Sequence, residues 1–515
     1  MSGIVINEDN SHYFSCRGPD GANTDKLKEL AAHYCTGQVD EVVYCFMAQR
    51  ANVAGLNADP IWLGVEDQGA EGLFFRGERL DDSMAGWIRC AKALHDKGID
   101  PYEVWLEETR KTGRRASLSM RMNDCHNIGD ENHFLHCEFW REHSEYRLYP
   151  TAREDGYPLY CVSALDYTHE EVRTGKLAIV RAVLERYDLD GLEIDWMRHG
   201  NNVGLGNMDA GRDGITAFHR EVRLLADAAE KRLGHPVRVS VRVSATPDDA
   251  FARGLDVIQW VRNGSVQCVI PTAFFSTSDS AMPIALWRSI LGNDVELCAG
   301  LELLIRPFPH SDSIPETSLL LAAQSADYLY QGADKIYLYN HMDTQTAMRD
   351  PEDYRIALNT IGTQETVNAA HRRHVITFQD TAAFGMYPGR ALPASLPENG
   401  FTGQFRLSIG VKPEAERKCT LILGFDTATV PDVEVWINCK KVPFLRTFTN
   451  EKFSWDETVL KTYGSGQYFP ESSIVFAEFN AAGAIVSGTN LIWIKRKNGA
   501  NNCNITWLEI DIARA

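Results

Sequence analysis

The chain has no window of eighteen consecutive apolar residues, so no segment reads as a membrane-spanning helix. It is poor in positive charge. Its 52 lysines and arginines face 70 aspartates and glutamates, a formal charge of -18. Nucleic acid and anionic membrane surfaces call for a basic face, so neither is expected as a partner. Residues 1–9 lack a basic stretch followed by an apolar one, so no signal peptide is expected. The expected location is cytoplasmic, or secreted or periplasmic if a leader was removed. The twelve cysteines are scattered, and Cys45, Cys161, Cys268 and Cys298 sit in apolar runs. They read as buried reduced thiols rather than a disulfide frame. Cys125, His126, His133, His136 and Cys137 crowd together but fit no zinc spacing, so no metal is expected. No glycine-rich phosphate turn follows the first strand, and no repeat or low-complexity tract is visible. No cofactor is expected.

What is present is ordinary globular material, 44% hydrophobic and 24% charged over 515 residues, enough for two or three domains. Up to about residue 368, short apolar runs alternate with amphipathic stretches. Strands are expected at 12–17, 40–47, 116–122, the 189–199 stretch, 237–244, 266–271, 295–301 and 335–339, with helices between them. Asp100 before Pro101 and Thr168 before Glu170 and Glu171 look like helix caps. Eight strand-helix units make a (β/α)8 barrel over residues 1–368. The strand runs read as nearly continuous, as for parallel strands covered on both faces. Residues 369–515 change texture to short runs broken by turn residues, an all-β sandwich of jelly-roll type. Trp436, Trp455, Tyr463 and Tyr468 of that sandwich could bind carbohydrate, although packing is the more ordinary role of such rings. A homo-oligomer is allowed, not demanded.

The stretch DLDGLEIDWMRHG organises the rest. In a strand, Leu192, Ile194 and Trp196 share one face and Glu193, Asp195 and Met197 the other. Two carboxylates in an apolar run are costly to bury unless they are neutralised or used, and like charges this close separate their pKa values. Polar residues also accumulate after the other strands, where barrel chemistry sits. The third offers Arg121, Asn123, Asp124 and His126; the fourth adds Arg198 and His199; the fifth Arg242; the seventh Glu302; the eighth Asn340 and His341. Carboxylates, amides, arginines and rings in one bowl suit a hydroxyl-rich ligand. Asp195 and Glu302 flanking one bond, with Glu193 tuning Asp195, is the arrangement of glycoside hydrolysis. The remaining side chains of these strand ends would hold substrate.

The same stretch, with ALDYTHEEVRTGKLAIVRAVLERY before it, resembles the (β/α)8 proteins of the glycosidase superfamily, particularly poorly characterised glycosyl hydrolase-like groups, over residues 117–341. The resemblance implies a carbohydrate-active barrel with a carbohydrate substrate. The stretch is also similar to the chitinase signature DGxDxDxE, but Glu193 replaces its middle acid and Met197 stands where its catalytic glutamate belongs. That mechanism does not carry over. A strand-four aspartate nucleophile, as in α-galactosidase-like barrels, matches Asp195. A strand-seven glutamate, as in the retaining β-glycosidase clan, matches Glu302, but that clan's strand-four Asn-Glu pair is missing. A lyase, a transglycosylase and a non-catalytic sugar-binding protein are the alternatives on the same scaffold.

Overall fold

The computed structural model describes residues 3–148, 163–204, 206–343, 350–380, 389–397, 400, 404–450, 469–498 and 503–513. Cys161, Trp455, Tyr463 and Tyr468 lie outside the described residues. Eight strands close a barrel: β1 (Ile4–Glu8), β2 (Val39–Met47), β3 (Arg115–Arg121), β4 (Gly191–Asp195), β5 (Arg238–Ser244), β6 (Cys268–Thr272), β7 (Glu296–Leu301) and β8 (Lys335–Leu338). Each lies beside its neighbour in the chain, and β8 lies beside β1. Contacts divide the chain into two compact units, Val5–Ile270 with Ile290–Glu296, and Met1–Ile4 with Pro271–Ser289 and Leu297–Ala515. Among the described residues no helix is long and apolar enough to cross a membrane.

Local chemistry explains the helix ends. Asp100 accepts from the Tyr102 and Glu103 amides and starts Pro101–Lys111, as its position before proline foretells. The helix Met208–Leu233 ends on Lys231 and Arg232, with Gly234 in the left-handed region at φ 78°. Thr168 is not a cap. The helix there spans Glu170–Arg186, and His169 precedes it without a side-chain cap. Glu170 and Glu171 in its first turn supply the favourable charge instead.

Two expectations need correction. Residues 12–17 form the helix His12–Arg17, not the first strand. The strand is the β-branched run Ile4-Val5-Ile6, and Asp9 turns the chain by accepting from the Ser11 amide and hydroxyl, each at 2.8 Å. The polar residues at the end of the first strand are therefore Asn7, Glu8, Asp9 and Asn10. Second, β3 to β5 alternate cleanly. Val239, Val241 and Val243 are all fully buried, and paired positions on the other face carry Ser119, Glu193 and Ser240, then Arg121, Asp195 and Arg242. This part of the barrel is filled by hydrogen-bonded polar groups where branched apolar layers are the common filling. Gly191 is required on the lowest rung, since a Cβ there would sit 2.9 Å from Ser117 Oγ and 3.1 Å from the Arg238 carbonyl oxygen.

The sandwich consists of β9 (Arg372–Val375), β10 (Ala394–Ser395), β11 (Phe405–Ser408), β12 (Lys418–Phe425), β13 (Asp432–Ile437), β14 (Lys440–Val442), β15 (Phe444–Thr449), β16 (Val475–Asn480), β17 (Thr489–Asn498) and β18 (Asn504–Ala513). One sheet runs β9-β18-β12-β16-β15 with β10 on β18, and the other β11-β17-β13-β14. β9 pairs with β18, β11 with β17 and β12 with β16, which is the nested pairing of a jelly roll. Leu421, Leu423, Ile492, Ile494, Leu508 and Ile510 are among its core residues. Arg373 on β9 holds Glu509 on β18 through two contacts of 2.5 and 2.6 Å, both side chains buried.

The lower end of the barrel is closed by ions. Glu41 accepts from Ser117 Oγ at 2.6 Å, Arg238 at 2.5 Å and Arg115 at 3.0 Å, and both arginines also hold Glu296. Burial alone would raise the Glu41 carboxyl, but Arg238, Arg115 and the Ser117 hydroxyl outweigh it and keep it below the usual range. A depressed carboxyl contributes stability above its unfolded value and loses it as pH falls. Glu41→Gln is expected to cost on the order of 3 kcal/mol at pH 7, read by urea unfolding, with the gap to wild type narrowing below about pH 4.

Candidate functional site

The first unit carries a dense cluster at the C-terminal ends of β3, β4 and β5. Asp195 is the last residue of β4 and is 1% exposed. Its Oδ1 accepts from the Met197 amide at 2.8 Å and the Arg198 amide at 3.0 Å. Arg242 donates to both of its oxygens at 3.2 Å. Every one of these contacts treats Asp195 as an acceptor, so the group is arranged as an anion. One rung below, Glu193 accepts from Ser119 Oγ at 2.6 Å and Asn7 Nδ2 at 3.3 Å on the same oxygen. It is fully buried and forms part of the floor.

Arg121, level with Asp195 on β3, is the hub of a second network. It pairs with Asp9 and donates to Asn10 Oδ1 at 2.7 Å and to Asp124 Oδ2 at 3.1 Å. Asp124 Oδ1 receives His126 Nδ1 at 2.7 Å, and His126 Nε2 receives Arg198 at 2.8 Å. Burial would raise Asp9 and Asp124, but Arg121 and Arg198 around Asp9, and His126 and Arg121 around Asp124, hold both far below the usual carboxylate range. His199 accepts the Cys125 amide on Nδ1 at 3.1 Å. Burial, helped by Arg198, lowers His199 well below an ordinary imidazole against the pull of Asp124. It is a neutral ring with its hydrogen on Nε2.

Asp124, His126 and His199 bring ligand-type atoms within 4.8 Å of one another. A cation would have to displace Arg198 from His126 and the Cys125 amide from His199, beside Arg121. Asp124 and His126 belong to the hydrogen-bonded run Arg121–Asp124–His126–Arg198, and His199 Nδ1 is used on the Cys125 amide. Arg121, Arg198 and Arg242 balance Asp9, Asp124 and Asp195 in charge. Asn123 is bonded within the protein. Its amide donates to the carbonyls of Leu165 and Asn201 and to Asn202, and accepts the Leu165 amide, so it clips loops together.

The second unit carries Glu302, Asn340 and His341. Glu302 directly follows β7 and is fully buried. Asn340 Nδ2 donates to its Oε2 at 3.1 Å, and His341 Nε2 contacts its carbonyl oxygen at 2.9 Å. Asn340 adopts φ 62°, a left-handed conformation that asparagine tolerates better than most residues. His341 reaches Glu316 at 4.0 Å, a second fully buried glutamate, which Gln324 also holds. Sequence reading missed Glu316 because it directly follows the short hairpin Leu304–Ile305 and Ile314–Pro315, away from the end of any barrel strand. It also missed Asp9 and Asn10, which the run Ile4-Val5-Ile6 followed by four polar residues could have signalled. In the same unit Asp380 accepts the Phe274, Phe275 and Ser276 amides at 2.7–2.8 Å, pinning the loop after β6.

No family model matches the chain, and no curated protein matches it in sequence. Among solved structures it is similar to α-L-fucosidase isoenzyme 2 from Paenibacillus thiaminolyticus at 12% identity and TM-score 0.41, over 70% of this chain and 48% of that one. The chain thus spans about half the fucosidase's length. The glycoside hydrolase domain of PgaB from Bordetella bronchiseptica matches at 12% identity and TM-score 0.37, over 70% of this chain and 99% of that one. A chitinase from Chromobacterium violaceum matches at 9% identity and TM-score 0.38, over 98% and 90%.

Two stability outcomes follow from these contacts. Arg242→Met leaves the Asp195 carboxylate buried without its cation and is expected to cost about 3–5 kcal/mol in urea unfolding, part of which Asp195→Asn added to it restores. Burial, with a smaller push from Asp380, raises Asp279 to about 7 against the pull of the Ala281 amide. The folded chain keeps a proton that the unfolded chain releases near pH 4, so stability falls from about pH 4 to about pH 7 and then levels off. Asp279→Asn should flatten that slope in thermal melts.

Proposed function

We propose that this protein is a glycosidase acting at the C-terminal face of the barrel, on an oligosaccharide, a polysaccharide or another glycoside. The observation that carries the reading is the state of Asp195, a strand-end carboxylate fixed by four donated hydrogen bonds at the centre of a charge-balanced, hydroxyl-matching cluster. An anion so fixed suits a nucleophile or base, or a group that stabilises developing positive charge on a sugar ring. Glu302, oriented by Asn340, is the candidate proton donor. Glu193, one rung below on the same strand, tunes Asp195. Arg121, Asp124, His126, Arg198 and His199 supply donors and acceptors for hydroxyls, His126 and Arg198 being the more exposed of them.

One observation favours a second reading. Asp195 bound by Arg242 is also what a purely structural ion pair looks like, and a sugar-binding protein without turnover would need no more. A screen of the purified chain against aryl glycosides and natural oligosaccharides separates the two. Turnover is expected, and Asp195→Asn and Glu302→Gln should each lower it by about 10³-fold or more while the protein stays folded. Near-normal rates in either variant would remove that residue from the mechanism. Binding without turnover would favour the second reading.

A further inference from the structure

Four rings on the excursion after β3 belong to none of the contacts above. Phe139 lies 4.9 Å from His143 and 5.9 Å from Tyr146, centroid to centroid. His143 stacks on Tyr146 at 5.1 Å, and Tyr146 meets His169 at 4.9 Å. All four are half-exposed. Their neighbour in the chain is anchored. Trp140, next to Phe139 in the chain, is buried, with its indole N–H on the Ser163 carbonyl at 2.8 Å and the Arg147 guanidinium 3.6 Å from its ring centre. Arg147 also donates to the Trp140 carbonyl at 2.7 Å.

This ladder is tied to the cluster at the barrel mouth. Arg147, next to Tyr146, forms an antiparallel bridge with Leu165, and Leu165 is the residue that Asn123 clips at the end of β3. That tie fixes the backbone on which Tyr146 stands. Their chemistry is mixed. The faces are apolar, but two imidazoles and a phenol present donors and acceptors along the edge, with Glu145 held on His143 at 2.9 Å. A pyranose ring is built the same way, with C–H groups on its face and hydroxyls around its rim. A lipid tail would leave the imidazole edges unpaired. Nucleic acid is disfavoured by the carboxylates of Glu142, Glu145 and Glu171 nearby in the chain.

We propose that Phe139, His143, Tyr146 and His169 form a stacking subsite for a neutral glycan chain, which makes the substrate a polysaccharide or long oligosaccharide rather than a small glycoside. The second half of that statement rests on the glycosidase reading; the subsite itself does not.

The test is native affinity electrophoresis of the full chain through gels holding a neutral β-glucan, xylan, mannan or glycol chitin, with polygalacturonate and polymer-free gels as further arms. At least one neutral polymer should retard the wild type. Tyr146→Ala, and Phe139→Ala with it, should weaken that retardation by about five- to tenfold, and Tyr146→Phe should keep it. Because Tyr146 is half-exposed, Tyr146→Ala alone is expected to fold, as a thermal melt will report. No retardation in any neutral gel, retardation by polygalacturonate alone, or a Tyr146→Ala variant retarded like the wild type would each overturn the subsite. Tyr146-dependent retardation without turnover of any glycoside would sink the glycosidase reading and leave the subsite standing. Turnover without retardation would do the reverse.

Discussion

The pairing of Asp195 with Arg242 is the constraint around which this half of the barrel is built. Removing two charges from water costs several kcal/mol each, and only close geometry with further hydrogen bonds repays it. That requirement reaches outward. Arg242 must face inward from β5, so β5 alternates valine with serine and arginine. Arg121 must stand level on β3, which brings Asp9 and Asn10 from the turn after β1. The amides of Met197 and Arg198 must point back at the carboxylate, which sets the path of the chain leaving β4. A barrel filled with branched apolar side chains would be freer in each of these choices.

Below that rung the interior stays polar down to its base. Ser119, Glu193 and Ser240 form the next layer, and Glu41, Arg115, Arg238 and Glu296 the lowest. Such a stack trades hydrophobic packing for directional contacts. It fixes side-chain positions closely, and pre-set donors and acceptors of this kind are what electrostatic catalysis draws on.

The sequence discloses the barrel because strand-helix alternation and its period survive without any contact information. Seven of the eight strands are legible from their apolar runs. The first is misplaced because His12-Tyr13-Phe14 looks strand-like by composition, whereas the turn set by Asp9 makes it helical. The faces of β4 are legible too, since period two is a property of strands and not of context. Partnership is not. Nothing in the string says that Asn123 will clip Leu165 forty-two residues away, or that His126 will lie between Asp124 and Arg198. Those depend on how long excursions fold back, which local pattern does not encode. Glu316 was illegible for the same reason, being delivered by a two-residue hairpin strand after β7.

The jelly-roll pairing has a consequence for how the chain is made. β18 lies between β9 and β12, and the buried Arg373–Glu509 contact joins the earliest sandwich strand to the latest. During synthesis the sandwich therefore waits for roughly its last ten residues before its larger sheet can close. Until then β9 and β12 leave the ribosome with open edges and a buried arginine that has no carboxylate to meet, and that interval is when the nascent protein is most exposed to mispairing.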